Sequence, residues 1–236
     1  MIDIHCHILP GIDDGPQSME ESVSMARIAA EDGITHIVAT PHIKYELTDP
    51  VSIKGLIAEL NAILVSEGIP LTVLAGADIS AVIDPALLNA YTVNGSRYVL
   101  LEFPYGRIPV SAHCTLFRFV SAGFRPIITH PERNMSVVSN PSLVSDLIAR
   151  GALVQITAGS ITGEFGPEAA MCSERLLRNG LVHFIGSDAH SSRRRLPLLS
   201  EAVRMAGKLI GQDAAISLVR ENPRAVISDT NVHTQI

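Results

Sequence analysis

Short apolar, β-branched runs alternate with amphipathic stretches along the whole chain. The runs fall at residues 2–5, 35–39, 71–76, 98–102, 126–129, 153–156 and 181–185. Each has the length of a strand rather than a helix, and most are apolar on both faces, as strands of a parallel sheet covered by helices are. The intervening helices carry their own signals. Ser18-Met19-Glu20-Glu21 reads as a capping box and Asn140-Pro141 as an N-cap with a first-turn proline. Gly33, Gly68, Gly123, Gly151 and Gly180 stand as helix stops just before the next strand. Two further helices are expected over residues 198–210 and 214–220, with Asn222-Pro223 opening a last turn and the chain fraying after Ser228.

Strand, helix, glycine, strand is the rhythm of βα units, whose crossovers are nearly always right-handed. Seven such units predict an α/β fold that closes as a distorted (β/α)7, TIM-like barrel; an open doubly wound sheet is the alternative. No linker, repeat or low-complexity stretch interrupts the pattern, so one domain is expected across residues 1–236.

A parallel barrel gathers the C-terminal ends of its strands at one mouth, where active sites are built. Here those ends carry His5-Cys6-His7, Thr40-Pro41-His42, Gly76-Ala77-Asp78, Leu101-Glu102-Phe103, Thr129-His130-Pro131 and Ser187-Asp188-Ala189-His190, with Asp13-Asp14 shortly after the first. Alternate side chains of a strand share a face, so His5 and His7 point together and Cys6 points away. Taken alone, the two histidines could be hydrogen-bonded core residues, and Asp188 could cap a loop. Taken together, four carboxylates in one cleft repel strongly unless cations compensate. Imidazole and carboxylate donors without thiolate suit Mn, Fe or Zn.

Composition narrows the remaining classes. A net charge of −6 without long Lys/Arg runs argues against nucleic acid. Apolar residues make up 47 % of the chain but never form the ~18-residue stretch that spans a bilayer, so no membrane insertion is expected. Without an export-type start the expected compartment is the cytoplasm. Cys6, Cys114 and Cys172 lack CxxC spacing and are expected to be reduced and inert. His36 and His183 fall at the opposite strand ends, His113 on a helix and His233 in the tail; all four are expected to be structural or exposed, and Asp84, Asp146 and Glu164 to be surface charges.

The series His5-x-His7, Asp14, His42, Asp78, Glu102, His130 and Asp188-x-His190 resembles the polymerase and histidinol phosphatase (PHP) superfamily. Within it, the opening MIDIHCHILPGIDDGP and the LLEFP, THPER and SDAH segments are similar to the bacterial manganese-dependent protein-tyrosine phosphatases of capsule and exopolysaccharide clusters. The resemblance implies two or three divalent ions, Mn first and Fe or Zn next, held by these nine residues. It also implies phosphotyrosine hydrolysis by a metal-activated water, and as partner the tyrosine-rich tail of a bacterial tyrosine kinase of polysaccharide export. Arg133 and Arg195, three residues after His130 and five after His190, are the expected grips on the phosphate. Asp78 departs from the family's usual bridging glutamate, with a reach about 1.5 Å shorter. A small-molecule phosphatase, such as one for histidinol phosphate, and a non-catalytic metal- or phosphopeptide-binding module are the alternatives.

Overall fold

A computed structural model of the chain describes residues 1–44 and 47–232; His233, expected in the tail, lies outside the described residues. The strands are β1 (Ile2–Cys6), β2 (His36–Ala39), β3 (His42–Ile43), β4 (Thr72–Ala75), β5 (Asp78–Ser80), β6 (Tyr98–Glu102), β7 (Arg125–Thr129), β8 (Leu153–Thr157) and β9 (Phe184–Gly186). All their pairings are parallel. The second and third expected strands are each broken in two. Pro41, which has no N–H to give to a ladder, separates β2 from β3, and Gly76-Ala77 separates β4 from β5.

These breaks shift the hydrogen bonding from one sheet to another. The first halves form a sheet in the order β1-β2-β4, and the second halves start a sheet in the order β3-β5-β6-β7-β8-β9. The last strand returns beside the first. Asp188 N donates to His5 O at 2.8 Å and His7 N to Ala189 O at 2.8 Å, with Cys6 and Ala189 paired in parallel. The result is the expected seven-stranded ring, distorted where its second and third members change partners.

Helices α1 (Met19–Glu31), α2 (Pro50–Ser66), α3 (Ala112–Ser121), α4 (Met135–Ser139), α5 (Ser142–Ile148), α6 (Ala158–Thr162) and α7 (Gly166–Arg178) follow the strands, and α8 (Ser200–Ile210), α9 (Gln212–Ser217) and α10 (Glu221–Ile227) end the chain. Two apolar clusters result. Ile2, Ile4, Val38, Tyr98, Leu100, Ile127, Leu153 and Phe184 fill the barrel below the mouth, against Val226 of α10. The other strand face, with Ile37, Val99, Leu101, Ile128 and Val154, packs on the helices.

Four local expectations are corrected. Glu21 does not complete a capping box: Ser18 Oγ accepts from Glu21 N, while Glu21 Oε1 accepts from Ser192 N on the mouth side. Asn140 does not cap α5 through its side chain, which instead accepts from Ser142 Oγ. The seventh strand begins only at Phe184, because Leu181 N turns back to Leu176 O at the end of α7. Residues 229–232, expected to fray, are anchored, since Tyr98 Oη donates to Thr230 O at 2.6 Å, Asp229 accepts from Arg97 N, and Val232 is buried.

Candidate metal centre

The first strand aims its histidines by an irregularity. Relative to β2, β1 carries one extra residue between Asp3 and Cys6. Strict alternation would put Ile2, Ile4 and Cys6 on one face and both histidines on the other. The bulge changes this: Ile4 faces the barrel interior, Cys6 faces the helices, and His5 and His7 reach the mouth. On the other strands the alternation runs unbroken from interior core to mouth, as in Leu100 then Glu102, or Ile127 then Thr129. The residues under the cluster are small by necessity. A Cβ on Gly76 would lie 2.5 Å from Val38 Cγ1, and one on Gly186 would lie 3.0 Å from His5 Cβ.

All nine expected donors come together at the mouth. They fall into three overlapping groups, His5/His7/Asp188, His7/Asp14/His42/His190 and His42/Asp78/Glu102, each with donor atoms within 4.8 Å of one another. His130 joins through Glu102, its Nε2 being 3.5 Å from Glu102 Oε1. Asp78 sits between two groups, with Oδ2 3.4 Å from His42 Nδ1 and 3.7 Å from His5 Nε2, while Oδ1 accepts from Thr129 Oγ1. The aspartate therefore lies within a few ångströms of both imidazoles despite its short side chain. Most of the cluster is buried, and Asp14, 62 % exposed, forms its open edge.

Hydrogen bonds on the far side of the rings decide which nitrogens face inward. His7 Nδ1 donates to Asp13 Oδ2 at 2.7 Å and His190 Nδ1 to the Asp188 carbonyl at 2.9 Å. Both partners can only accept, so both Nε2 atoms present lone pairs to the cluster. His7 Nε2 stands 3.6 Å from Asp188 Oδ1, and His190 Nε2 stands 3.4 Å from Asp14 Oδ1. Neither contact is a hydrogen bond, because each pairs acceptor with acceptor. His42 Nδ1, Asp78 Oδ2 and His190 Nε2 are buried without a hydrogen-bond partner among the described residues. Orphaned acceptors converging in a buried cleft suit divalent cations. Burial also favours the neutral form of three imidazoles, lowering His7, taking His130 down to about 3 with help from the Arg133 charge, and His190 to about 4 with help from His7, whereas at His42 the Asp78 and Glu102 carboxylates outweigh burial and raise it. Neutral imidazole is the form that ligates.

The two arginines converge on one oxygen. Arg133 Nη2 lies 2.9 Å and Arg195 Nη2 2.6 Å from Asp188 Oδ2, while Asp188 Oδ1 faces the histidines. The Nε donors of both arginines are buried and have no hydrogen-bond partner among the described residues. Both guanidinium groups lie against Phe165, with Cζ 4.5 Å from the ring centroid for Arg133 and 5.6 Å for Arg195. His130, Asp188 and Arg195 also adopt left-handed backbone, with φ of 37°, 52° and 50°. Such conformations cost of order 1–3 kcal/mol each and gather at functional sites.

Three positioning residues escaped the sequence reading. Asp13, not only its neighbour Asp14, belongs to the site: it orients His7 and accepts from Gly15 N and His42 N, both at 3.0 Å. Gln155 Oε1 lies 2.8 Å from His5 Nδ1. Asp3 is buried beneath the mouth, where it accepts from His5 N, Ser187 N and Ser187 Oγ. The Asp13-Asp14 doublet was the one available signal. Glu164, expected as a plain surface charge, is exposed but accepts from Arg195 N at 3.3 Å. His113 is exposed as expected, Arg193 and Arg194 beside Arg195 are exposed too, and His36 and His183 lie at the far strand ends.

Among the described residues no helix is long and apolar enough to cross a membrane. The chain is 37 % identical over 241 residues to the tyrosine-protein phosphatase YwqE of Bacillus subtilis, an alignment covering 100 % of this chain and 94 % of that protein. It is 35 % identical to the putative tyrosine-protein phosphatase CapC of Staphylococcus aureus, again over 100 % of this chain and 94 % of the relative. Among solved structures it superposes with a TM-score of 0.93 and 36 % identity, covering 100 % of this chain and 97 % of the other, on one from a study of Bacillus subtilis YwqE and Streptococcus pneumoniae CpsB, described as unique metal-dependent tyrosine phosphatases. The model for the family described as "Capsular polysaccharide synthesis, CpsB/CapC" matches residues 1–228, and the chain belongs to that family.

Proposed function

We propose that this chain is a metal-dependent phosphomonoesterase acting on phosphotyrosine. His5, His7, Asp14, His42, Asp78, Glu102, His130, Asp188 and His190 would hold two or three divalent ions, and Arg133 and Arg195 would grip the phosphate. One observation carries the reading: the Nε2 lone pairs of His7 and His190 face the oxygens of Asp188 and Asp14, an arrangement that repels itself until cations fill it. Full-length likeness to proteins named tyrosine phosphatases supports the substrate.

Divalent ions held by these nine residues would lower the pKa of water toward 7 and so would supply hydroxide at neutral pH. The protein's own groups do the rest. Asp13, Gln155 and the Asp188 carbonyl hold the rings in register. Arg133 and Arg195, with unpartnered Nε donors, present forks to the equatorial phosphate oxygens, where stabilisation of charge supplies most of phosphoryl-transfer catalysis. Phenol, with a pKa of about 10, leaves more easily than an alkyl alcohol and needs less protonation. Mixed imidazole and carboxylate donors suit Mn, Fe or Zn, and the family resemblance puts Mn first. The partner would be the phosphotyrosine tail of a bacterial tyrosine kinase of polysaccharide export, met in the cytoplasm.

Elemental analysis of the purified protein, followed by chelation and reloading with Mn, Fe, Zn or Mg, tests the centre. Hydrolysis of phosphotyrosyl peptide should vanish with the metal and return with it. It should also survive thiol alkylation, since Cys6 and Cys172 are buried and Cys114 lies away from the cluster on α3. Full turnover by metal-free protein would end the proposal. A higher kcat/KM for histidinol phosphate than for phosphotyrosyl peptide would replace it with the small-molecule reading.

A further inference from the structure

Beside the metal cluster, and sharing Arg133 with it, lies a cleft of about 250 Å³ whose walls include Tyr105, Met135, Val138 and Phe165. It falls below the roughly 300–1,000 Å³ of pockets that enclose drug-sized ligands, and so matches one ring with a little flanking structure. Its lips are unusual for a protein surface. Tyr105 is 68 % exposed and Met135 64 % exposed, two large apolar side chains with little to cover them. They are nonetheless held in place. Asn134 Nδ2 donates to Pro104 O at 2.9 Å, which ties the loop carrying Tyr105 to the turn carrying Arg133, and Asn134 Oδ1 accepts from Ser136 N to cap the helix carrying Met135. Phe165 forms the wall behind Arg133, its ring 4.5 Å from the guanidinium carbon.

We infer that this cleft is the subsite for the aryl leaving group, and that Tyr105 and Met135 set a preference for aryl over alkyl phosphomonoesters. The inference rests on the phosphatase reading above and deepens it. Arg133 joins the two regions: one end of the guanidinium faces Asp188 and the donor cluster, while the side chain lines the cleft. A phosphate held by Arg133 would therefore leave its ester oxygen beside a cleft lined by the apolar faces of Tyr105, Met135, Val138 and Phe165 together with the carboxylate-bearing Glu132 and Glu168. Tyr105 also lines the narrow gap beside His130, so the wall runs continuously from the cluster outward. An aromatic ring gains from stacking on Tyr105 and Phe165 and from the sulfur of Met135; a short alkyl or polyol chain gains little. The exposed cations Arg193 and Arg194 lie on the Arg195 side of the mouth and offer charge to the phosphate or to acidic neighbours, not to the ring.

The test compares kcat/KM for phenyl phosphate and ethyl phosphate on Mn-loaded full-length protein, wild type against Tyr105→Ala/Met135→Ala. Both side chains are exposed, so circular dichroism and Tm should hold. The aryl-to-alkyl ratio should fall about ten-fold, equivalent to about 1.4 kcal/mol, mainly through KM. Tyr105→Phe should retain it. An unchanged ratio overturns the assignment. Calorimetric binding of phenylphosphonate against methylphosphonate gives a second reading that needs no turnover: the wild type should prefer the phenyl compound and the double variant should lose that preference. A protein that shows this preference but hydrolyses neither ester keeps the cleft and loses the phosphatase reading. One that hydrolyses both with equal preference before and after substitution loses the cleft alone.

Discussion

Asp13 offers the sharpest check on how the centre is organised, because it touches the donors without facing the cluster. Its carboxylate, only 7 % exposed, accepts from His7 Nδ1 at 2.7 Å and from the backbone N–H groups of Gly15 and His42. Burial raises its pKa, but the hydrogen bond from His7 and those from the Gly15 and His42 backbone N–H groups outweigh burial and hold the carboxyl well below the usual range. Asp13→Ala frees His7 to rotate or change tautomer, so Nε2 no longer dependably points inward. Losing an outer partner of this kind typically costs 10–100-fold in metal affinity. That is about 1.4–2.8 kcal/mol. The same substitution strands two backbone donors at about 1–3 kcal/mol each, and each kcal/mol lowers Tm by about 2–4 °C in a chain of this length. Asp13→Asn keeps an acceptor and should lose less on both counts. Chelator competition followed by metal analysis reads the affinity, and thermal unfolding of apo protein reads the stability. If Asp13→Ala bound metal within two-fold of wild type while Tm fell, Asp13 would only brace the loop, and the account of His7 would be wrong.

Arg133→Ala and Arg195→Ala should each lower kcat/KM about 10²-fold at unchanged metal content, and lysine should restore little because it cannot form the fork; steady-state kinetics with metal analysis decides. Gly15→Ala places a Cβ 2.5 Å from the His7 carbonyl oxygen, a backbone atom that cannot swing aside. It should cost about 1–3 kcal/mol in denaturant unfolding and weaken metal binding by moving Asp13 and Asp14 together. At the opposite end, burial and the Arg125 charge lower His183 to about 4, and Val154 N donates to its Nδ1. The unfolded chain takes up that proton near pH 6.5 and the folded chain only near 4, so between them the unfolded state binds more protons. The contribution is complete above about pH 6.5 and fades as pH falls toward 4, by about 2–3 kcal/mol; urea midpoints of His183→Gln should depend less on pH across that window than those of wild type.

The candidate donors could be picked out in the sequence, and are brought together in the fold, because metal ligation restricts residue type. Only a few side chains ligate, and βα punctuation placed each of them at a strand end, where one mouth collects them. The residues that aim those donors carry no such restriction. His190 donates to a main-chain carbonyl, His5 Nδ1 meets the side-chain oxygen of a glutamine in the middle of β8, and the packing behind Arg133 comes from a phenylalanine at the start of α7. The β1 irregularity shows the difference most clearly. Period-two reasoning correctly paired His5 with His7, yet with Ile2 and Ile4 in the barrel interior that same period would have sent both histidines out toward the helices. A single extra residue between Asp3 and Cys6 reverses the outcome, and Asp3, bonded to His5 N and Ser187, lies at the point where it does so. The left-handed backbone of His130, Asp188 and Arg195 follows the same logic. His130 and Asp188 stand where strand ends meet at the mouth, and Arg195 stands in a loop tied to His190 and Glu164, so each conformation is held by tertiary contacts rather than by its local segment. Residue chemistry therefore identifies what this centre can bind, while tertiary closure determines where each atom points.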